Sequence, residues 1–121
     1  MDLPRIVVDL GQCDPDHSSI KRLLEPLGLK VVRAHSGTDA KEFLTAGGVA
    51  LVLVNRVLDA DGSDGMAIIK ELIELGSAPV MLVSNYPEYQ QKAVEMGALP
   101  GFGKSALRDP QTTELVRKAL G

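Results

Sequence analysis

Four polar side chains lie at or just beyond the carboxyl ends of predicted strands, where a parallel α/β sheet places its ligand crevice. They are Asp9, Asn55, Ser84 and Lys104. The hydroxyl and ammonium groups among them are donors that suit an anion. The apolar run of residues 51–54 ends at Asn55, at a point where a carboxylate could attack phosphorus. A neutral amide is an inefficient nucleophile and holds a cation only weakly, so the group that would do this chemistry is missing.

An acidic, glycine-rich loop follows Asn55 and carries Asp59, Asp61 and Asp64. Counted from Asp59, it fails the calcium-loop pattern, because the sixth position is Asp64 instead of glycine and the twelfth is Lys70 instead of glutamate. We therefore favour a solvated loop. An alternative is that Asp59 or Asp61 is carried back to the strand ends and accepts a phosphoryl group there, although in-line transfer demands tight geometry.

Composition restricts the class of protein. A chain of 121 residues suits a single domain over residues 1–121. Two Phe, two Tyr and no Trp favour aliphatic helices packed on a Val-rich sheet. A net charge of −3 without a Lys/Arg cluster argues against direct binding to nucleic acid. The single Cys13 excludes an internal disulfide and fits a reducing, cytoplasmic setting. Neither a signal peptide nor an apolar span of membrane length is visible.

Strand and helix signals alternate five times along the chain. The predicted strands cover residues 5–10, 29–34, 49–54, 79–84 and 99–103. The predicted helices begin near Asp14, Ser36, Met66, Pro87 and Asp109. Asp14 is predicted to cap the first helix and Pro26 to end it early. Residues 36–39 resemble a capping box. Because strand–helix–strand crossovers are right-handed, we expect a parallel sheet covered by helices on both faces.

This order of elements, with these polar residues at the strand ends, resembles the receiver domain of two-component response regulators, the CheY-like family, from Pro4 to Leu120. The resemblance implies an α/β, flavodoxin-like fold: a doubly wound, five-stranded parallel sheet in the order 2-1-3-4-5. It also implies a magnesium site made of two acidic residues after the first strand and one aspartate after the third. In the family that third-strand aspartate accepts a phosphoryl group from a histidine kinase. Asp9 matches one of the acidic residues after the first strand. Ser84 matches the family's hydroxyl residue and Lys104 matches its lysine, and in receivers these two contact the phosphoryl oxygens.

The chain departs from the receiver pattern at the acceptor, the metal site and the conformational switch together. Asn55 replaces the phosphoacceptor, and Leu10 stands where the second acid would adjoin Asp9. Gly101 falls at the position of the switch aromatic, and Ser105 replaces a proline. The loop after Asn55 is also about two residues longer than usual. We therefore interpret the chain as a pseudo-receiver that is not phosphorylated at the usual site.

The resemblance leaves a vestigial phosphorylation pocket. Its members are Asp9, Asp14, Asn55, Ser84 and Lys104, with Asp14 as a substitute for the missing second acid. Ser84 and Lys104 are expected to hydrogen-bond with Asn55 or Asp9 and so keep the pocket closed. One carboxylate holds magnesium poorly, so we expect no cofactor and regard Asp9 as a weak metal candidate. The alternative is a small anionic ligand gripped by Ser84 and Lys104.

In receivers the common docking surface is the fourth helix, fifth strand and fifth helix, which map to residues 86–97, 99–104 and 109–120. Tyr86, Tyr89 and Phe102, three of the four aromatic residues, fall in this region, and aromatic residues are favoured interface anchors. We expect a module that binds another signalling protein or an attached effector domain, or that pairs as a homodimer through this surface.

Independent catalysis is not indicated by the sequence. No nucleophile–base pair is visible, and His17 and His35 are interpreted as surface residues. The chain is therefore expected to be a protein–protein interaction module and not an enzyme.

Overall fold

A computed structural model describes residues 5–121. The strands are β1 (Arg5–Leu10), β2 (Leu29–Ala34), β3 (Val49–Asn55), β4 (Val80–Val83) and β5 (Leu99–Phe102). The helices are α1 (Asp14–Leu24), α2 (Gly37–Ala46), α3 (Gly65–Leu75), α4 (Pro87–Met96) and α5 (Pro110–Leu120), with short 3-10 turns at Glu25–Leu27 and Lys104–Ala106. Every strand pair is parallel and the order is β2-β1-β3-β4-β5, which confirms the predicted fold. Over residues 5–121 no helix is long and apolar enough to cross a membrane.

The sheet separates two apolar cores, as its near-continuous Val and Leu strands predict. Alternate strand residues point to opposite faces. On one face Val8, Val52, Val54 and Leu82 pack under α2, α3 and α4, and on the other Val7, Leu51, Leu53 and Met81 pack under α1 and α5. The middle strands β1, β3 and β4 are buried on both faces, so their carboxyl ends are held rigidly.

Phe102 corrects the predicted partner surface. Its side chain is 6% exposed and lies in the core with Ile20 and Val116, on the α1/α5 face of the sheet. Phe102 is therefore a core residue and offers almost none of its surface to a partner, in contrast to the predicted anchor role. On α4 itself, Ala93 is buried, whereas Val94 is 44% exposed.

The helix ends follow local signals with one exception. Ser36 Oγ accepts from the N–H of Asp39 at 3.1 Å, and the Asp39 carboxylate accepts from the N–H of His35 at 3.0 Å. In a usual capping box the second bond would come from the N–H of Ser36 itself. α1 ends at Leu24 and Pro26 lies in the following 3-10 turn, as predicted. Asp14 is the first residue of α1 instead of its cap, and the capping position falls on Cys13.

Candidate functional site

The carboxyl ends of β3 and β4 open onto a cavity of about 270 Å³, which we call the strand-end cavity. Its lining brings together Asn55, Arg56, Val57, Val83, Ser84, Asn85, Tyr86 and Lys104. Three of the five predicted pocket residues are therefore neighbours, and Asp9 and Asp14 lie elsewhere. The lining contains two cations, two amides and two hydroxyl groups, those of Ser84 and Tyr86, but no carboxylate of residues 5–121.

Asn55 is bonded to the backbone of a neighbouring loop. The residue is 6% exposed, and its Nδ2 donates to the carbonyl oxygen of Gly11 at 3.0 Å. A carbonyl oxygen can only accept, so this contact selects an amide over an aspartate, whose ionised carboxylate has no hydrogen to donate. The side chain thus ties β3 to the end of β1.

Ser84 and Lys104 do not form the closing network that the sequence suggested. Ser84 Oγ accepts from the N–H of Tyr86 at 3.2 Å, a local bond two residues along the chain. Lys104 Nζ pairs with Asp16 Oδ2 at 3.1 Å, because α1 brings that carboxylate above the end of β5. Neither residue bonds to Asn55 or Asp9, so the prediction of a tied pocket is wrong and the cavity is open.

Asp9 has a partner that sequence reasoning missed. His17 Nδ1 lies 2.6 Å from Asp9 Oδ2, and the Asp9 side chain is fully buried. Burial raises the pKa of Asp9 to about 6, while the hydrogen bond and charge of His17 and the charge of Arg33 oppose that rise. The spacing of His17, Ile20 and Leu24 would have predicted this contact, because residues three and four apart lie on the same face of a helix. Ile20 and Leu24 are fully buried, so that face of α1 points inward.

These residues do not fit the magnesium ion that the fold family implies. Only Oδ1 of Asp9 is left without a partner among the described residues, since Oδ2 is bonded to His17. Leu10 is apolar and fully buried, and Asp14 instead pairs on the surface with Arg33 Nη2 at 2.7 Å, so neither supplies a second ligand beside Asp9. Magnesium is held by hard oxygen ligands in near-octahedral geometry. Across residues 5–121 no three His, Cys, Asp or Glu side chains converge on a point.

The buried Asp9 predicts a distinct pH dependence. A carboxyl whose pKa is about 6 in the folded protein against an ordinary value of 3.8 stabilises the fold below pH 4, and this contribution is lost as pH rises through 6. At 1.36 kcal/mol per unit the loss is at most about 3 kcal/mol. We expect Asp9→Asn to remove this decline. Urea unfolding of both proteins at pH 4, 5 and 6 measures the free energy of unfolding at each pH. If stability changed equally with pH in the two proteins, the raised pKa assigned to Asp9 would be contradicted.

The acidic loop does not deliver a carboxylate to the strand-end cavity. Asp61 is exposed and accepts from Ser63 N at 2.9 Å and Ser63 Oγ at 2.6 Å, bonds that lower its pKa. Asp59 is also exposed, and neither aspartate lines the cavity. Leu58 between β3 and these residues is buried, with 1% exposed, and anchors the loop so that both carboxylates face solvent.

Arg56 lines the strand-end cavity and makes cation–π contacts with two tyrosines. Its guanidinium carbon lies 5.4 Å from the ring centre of Tyr86 and 4.6 Å from that of Tyr89, and the two rings meet edge to face at 6.1 Å. Tyr86 is 52% exposed. On the other side of Arg56 a wider groove of about 640 Å³ runs between the loop after β3 and α4, lined in part by Val57 and Met96.

Gln90 fills the space beside Gly101, where receivers carry the switch aromatic. From α4, the two hydrogens of its Nε2 are shared among the carbonyl oxygens of Leu82 (2.9 Å), Ser84 (3.1 Å) and Phe102 (3.3 Å), and its Oε1 accepts from the N–H of Gly101 at 3.2 Å. A Cβ on Gly101 would lie 2.0 Å from the Leu82 carbonyl oxygen. The amide of Gln90 thus ties α4 to the edges of β4 and β5.

Comparison with solved structures shows what the fold is similar to. A response regulator from Thermotoga maritima is 24% identical with a TM-score of 0.79, covering 98% of each chain. The BeF3-activated N-terminal receiver domain of Klebsiella pneumoniae RstA is 22% identical (TM-score 0.82; 96% of this chain and 98% of that one). NtrX from Brucella abortus is 18% identical (TM-score 0.83), and the match covers 95% of this chain but 27% of that longer one.

No family model and no curated protein matches the sequence. At these identities the structural likeness establishes architecture and not chemistry. The strand order and the helices on both faces agree with it. The chain has the CheY-like fold of response-regulator receiver domains.

Proposed function

We propose that this chain is a pseudo-receiver, a non-catalytic signalling module that takes no phosphoryl group at the usual position and acts by binding another protein. The observation that carries the proposal is the bond from the Asn55 amide to the Gly11 carbonyl oxygen. It gives the residue at the acceptor position a structural role that only a donor can fill.

The surroundings of Asn55 support this proposal. A phosphoryl acceptor needs a metal ion to neutralise charge on the transferred group, and the carboxylate of Asp9 is already bonded to His17. The four hydrogen bonds of Gln90 hold α4 against β4 and β5. A module built in this way presents one fixed surface to its partner, without a phosphorylation-dependent change.

The partner in this proposal is a signalling protein or an effector domain attached to the same chain. The exposed Tyr86 and the adjacent Tyr89 on α4 remain the anchors that we assign to it. Tyrosine and arginine are enriched among residues that dominate binding energy, and Arg56 lies directly against both rings.

Phosphoryl transfer to Asp59 or Asp61 gains no support, because both carboxylates lie outside the strand-end cavity. A small anionic ligand is a second candidate, favoured by the carboxylate-free lining of that cavity. A thermal-shift screen with phosphates and nucleotides tests it, and an unchanged melting temperature across the panel counts against it. The main proposal is tested by intact mass after incubation with magnesium and acetyl phosphate, where the natural chain should gain nothing.

A further inference from the structure

We propose that an acidic side chain of the protein partner occupies the strand-end cavity and is bound there by Arg56 and Lys104. This inference rests on the proposed function, since it assumes that the cavity is free of a phosphoryl group. It assigns to the cavity a ligand of stated chemistry, a partner carboxylate.

The charge of the cavity selects an anion. Arg56 and Lys104 are both in its lining, and no Asp or Glu is. Lys104 shares its charge with Asp16 at 3.1 Å, whereas Arg56 forms no ion pair with any carboxylate of residues 5–121. A carboxylate brought to Arg56 would therefore complete a pair that the described chain leaves open, and charge complementarity of this kind steers association.

The guanidinium of Arg56 is pre-organised for this contact. Cation–π contacts with Tyr86 and Tyr89 hold the guanidinium in place, and its N–H groups carry no carboxylate partner among residues 5–121. The nearby Ser84 hydroxyl accepts from a backbone N–H, so its own hydrogen remains to be donated to an anion. Groups already held in position lose little freedom on binding, which favours affinity.

The rim of the cavity favours a carboxylate carried by a protein over a free anion. Val57 is 42% exposed and Tyr86 is 52% exposed, and both belong to the cavity lining. Beyond Arg56 the larger groove, which includes Met96, offers further apolar contact. An acidic residue flanked by apolar side chains would fill the cavity and cover this rim at the same time, which a small anion cannot do.

The test is an NMR titration of the 15N-labelled chain at constant ionic strength, with capped tetraglutamate, capped tetraglutamine and inorganic phosphate as separate probes. We expect tetraglutamate to shift the backbone amides of Asn55, Arg56, Ser84 and Lys104, and tetraglutamine to leave them unmoved. Arg56→Gln should weaken tetraglutamate binding about tenfold, because the neutral amide loses the paired charge.

Two variants complete the design. Lys104→Gln should also weaken tetraglutamate binding, whereas Arg22→Gln, an exposed arginine on α1 outside the cavity, should leave it unchanged. Equal weakening by Arg22→Gln would show nonspecific attraction and overturn the inference. So would the absence of shifts with tetraglutamate, or shifts with phosphate alone, which would indicate a small-anion site. These failures leave the proposed function intact, since that fails only if the natural chain takes a phosphoryl group.

Discussion

Replacing Gly65 with alanine is expected to lower the free energy of unfolding by about 3 kcal/mol, the upper range for overpacking a rigid site. A Cβ at Gly65 would lie 1.9 Å from the carbonyl oxygen of Asn55 and 2.9 Å from that of Arg56. Both are backbone atoms, and the N–H of Gly65 is itself bonded to the Arg56 carbonyl at 2.7 Å. The clash can be relieved only by moving the end of β3 away from α3.

Gly37→Ala is the matched control, because Gly37 and Gly65 are each the first residue of a helix. The nearest atom to a Cβ at Gly37 is 3.5 Å away on the Ile68 side chain, which is ordinary contact. We expect this control to change stability by less than about 0.5 kcal/mol, as for most surface substitutions. Urea unfolding of the three proteins measures both effects, and equal stability of the two variants would show that the start of α3 does not constrain Asn55.

Replacing Gln90 with alanine should cost about 2–4 kcal/mol. The carbonyl oxygens of Leu82 and Ser84 and the N–H of Gly101 lose their side-chain partner at once, whereas the Phe102 carbonyl oxygen keeps its bond from the N–H of Ser84. Buried polar groups left without partners each carry a desolvation cost. The tie between α4 and the β4–β5 edge would be broken. We expect faster hydrogen exchange at the amides of α4 and β5 in this variant.

Gln91→Ala is the control for Gln90→Ala. Gln91 is the next residue on the same helix, is exposed, and makes a single side-chain bond to Glu95 at 3.3 Å. Its replacement should be close to neutral, because exposed helix pairs contribute little. If Gln90→Ala and Gln91→Ala unfold at the same urea concentration, Gln90 does not hold α4 in place.

The fold could be predicted from the sequence because its signals are local and periodic. Apolar runs such as residues 51–54 end in polar residues, and glycines and prolines separate the elements. The capping box at Ser36 and the early end of α1 before Pro26 followed from the chemistry of single residues. Boundaries shifted by one residue, as at Asp14, because Cys13 takes the capping position without a side-chain bond.

The site was predicted in part, because its contacts join residues far apart in the sequence. Asn55, Ser84 and Lys104 were placed together by the strand-end rule, and the structure brings them to one cavity. Their partners depend on the packing of α1 and of the loop after β1, which the strand pattern does not encode. Lys104 therefore pairs with Asp16 instead of Asp9, and His17 was mistaken for a surface residue.

The arrangement around Arg56 and Gln90 was also missed. Neither residue belongs to a sequence motif with a known chemical role. Arg56 contacts Tyr86 and Tyr89, and Gln90 bonds to Leu82 on β4, and these neighbours are brought together only by the fold. The signal available in the sequence was the glycine at position 101, since a missing side chain at a packed position leaves room for another group. The structure shows that this group is the Gln90 amide.

The most direct test of the pseudo-receiver account is the intact mass of the natural chain and of Asn55→Asp after incubation with magnesium and acetyl phosphate. The account predicts that neither protein gains a phosphoryl group, because Asp9 is bonded to His17 and, within residues 5–121, no second acid completes a metal site. Gain by Asn55→Asp alone would show that magnesium still binds and that the loss is confined to the acceptor. Gain by the natural chain would contradict the account, and peptide mapping of Asp59 and Asp61 would then identify the acceptor.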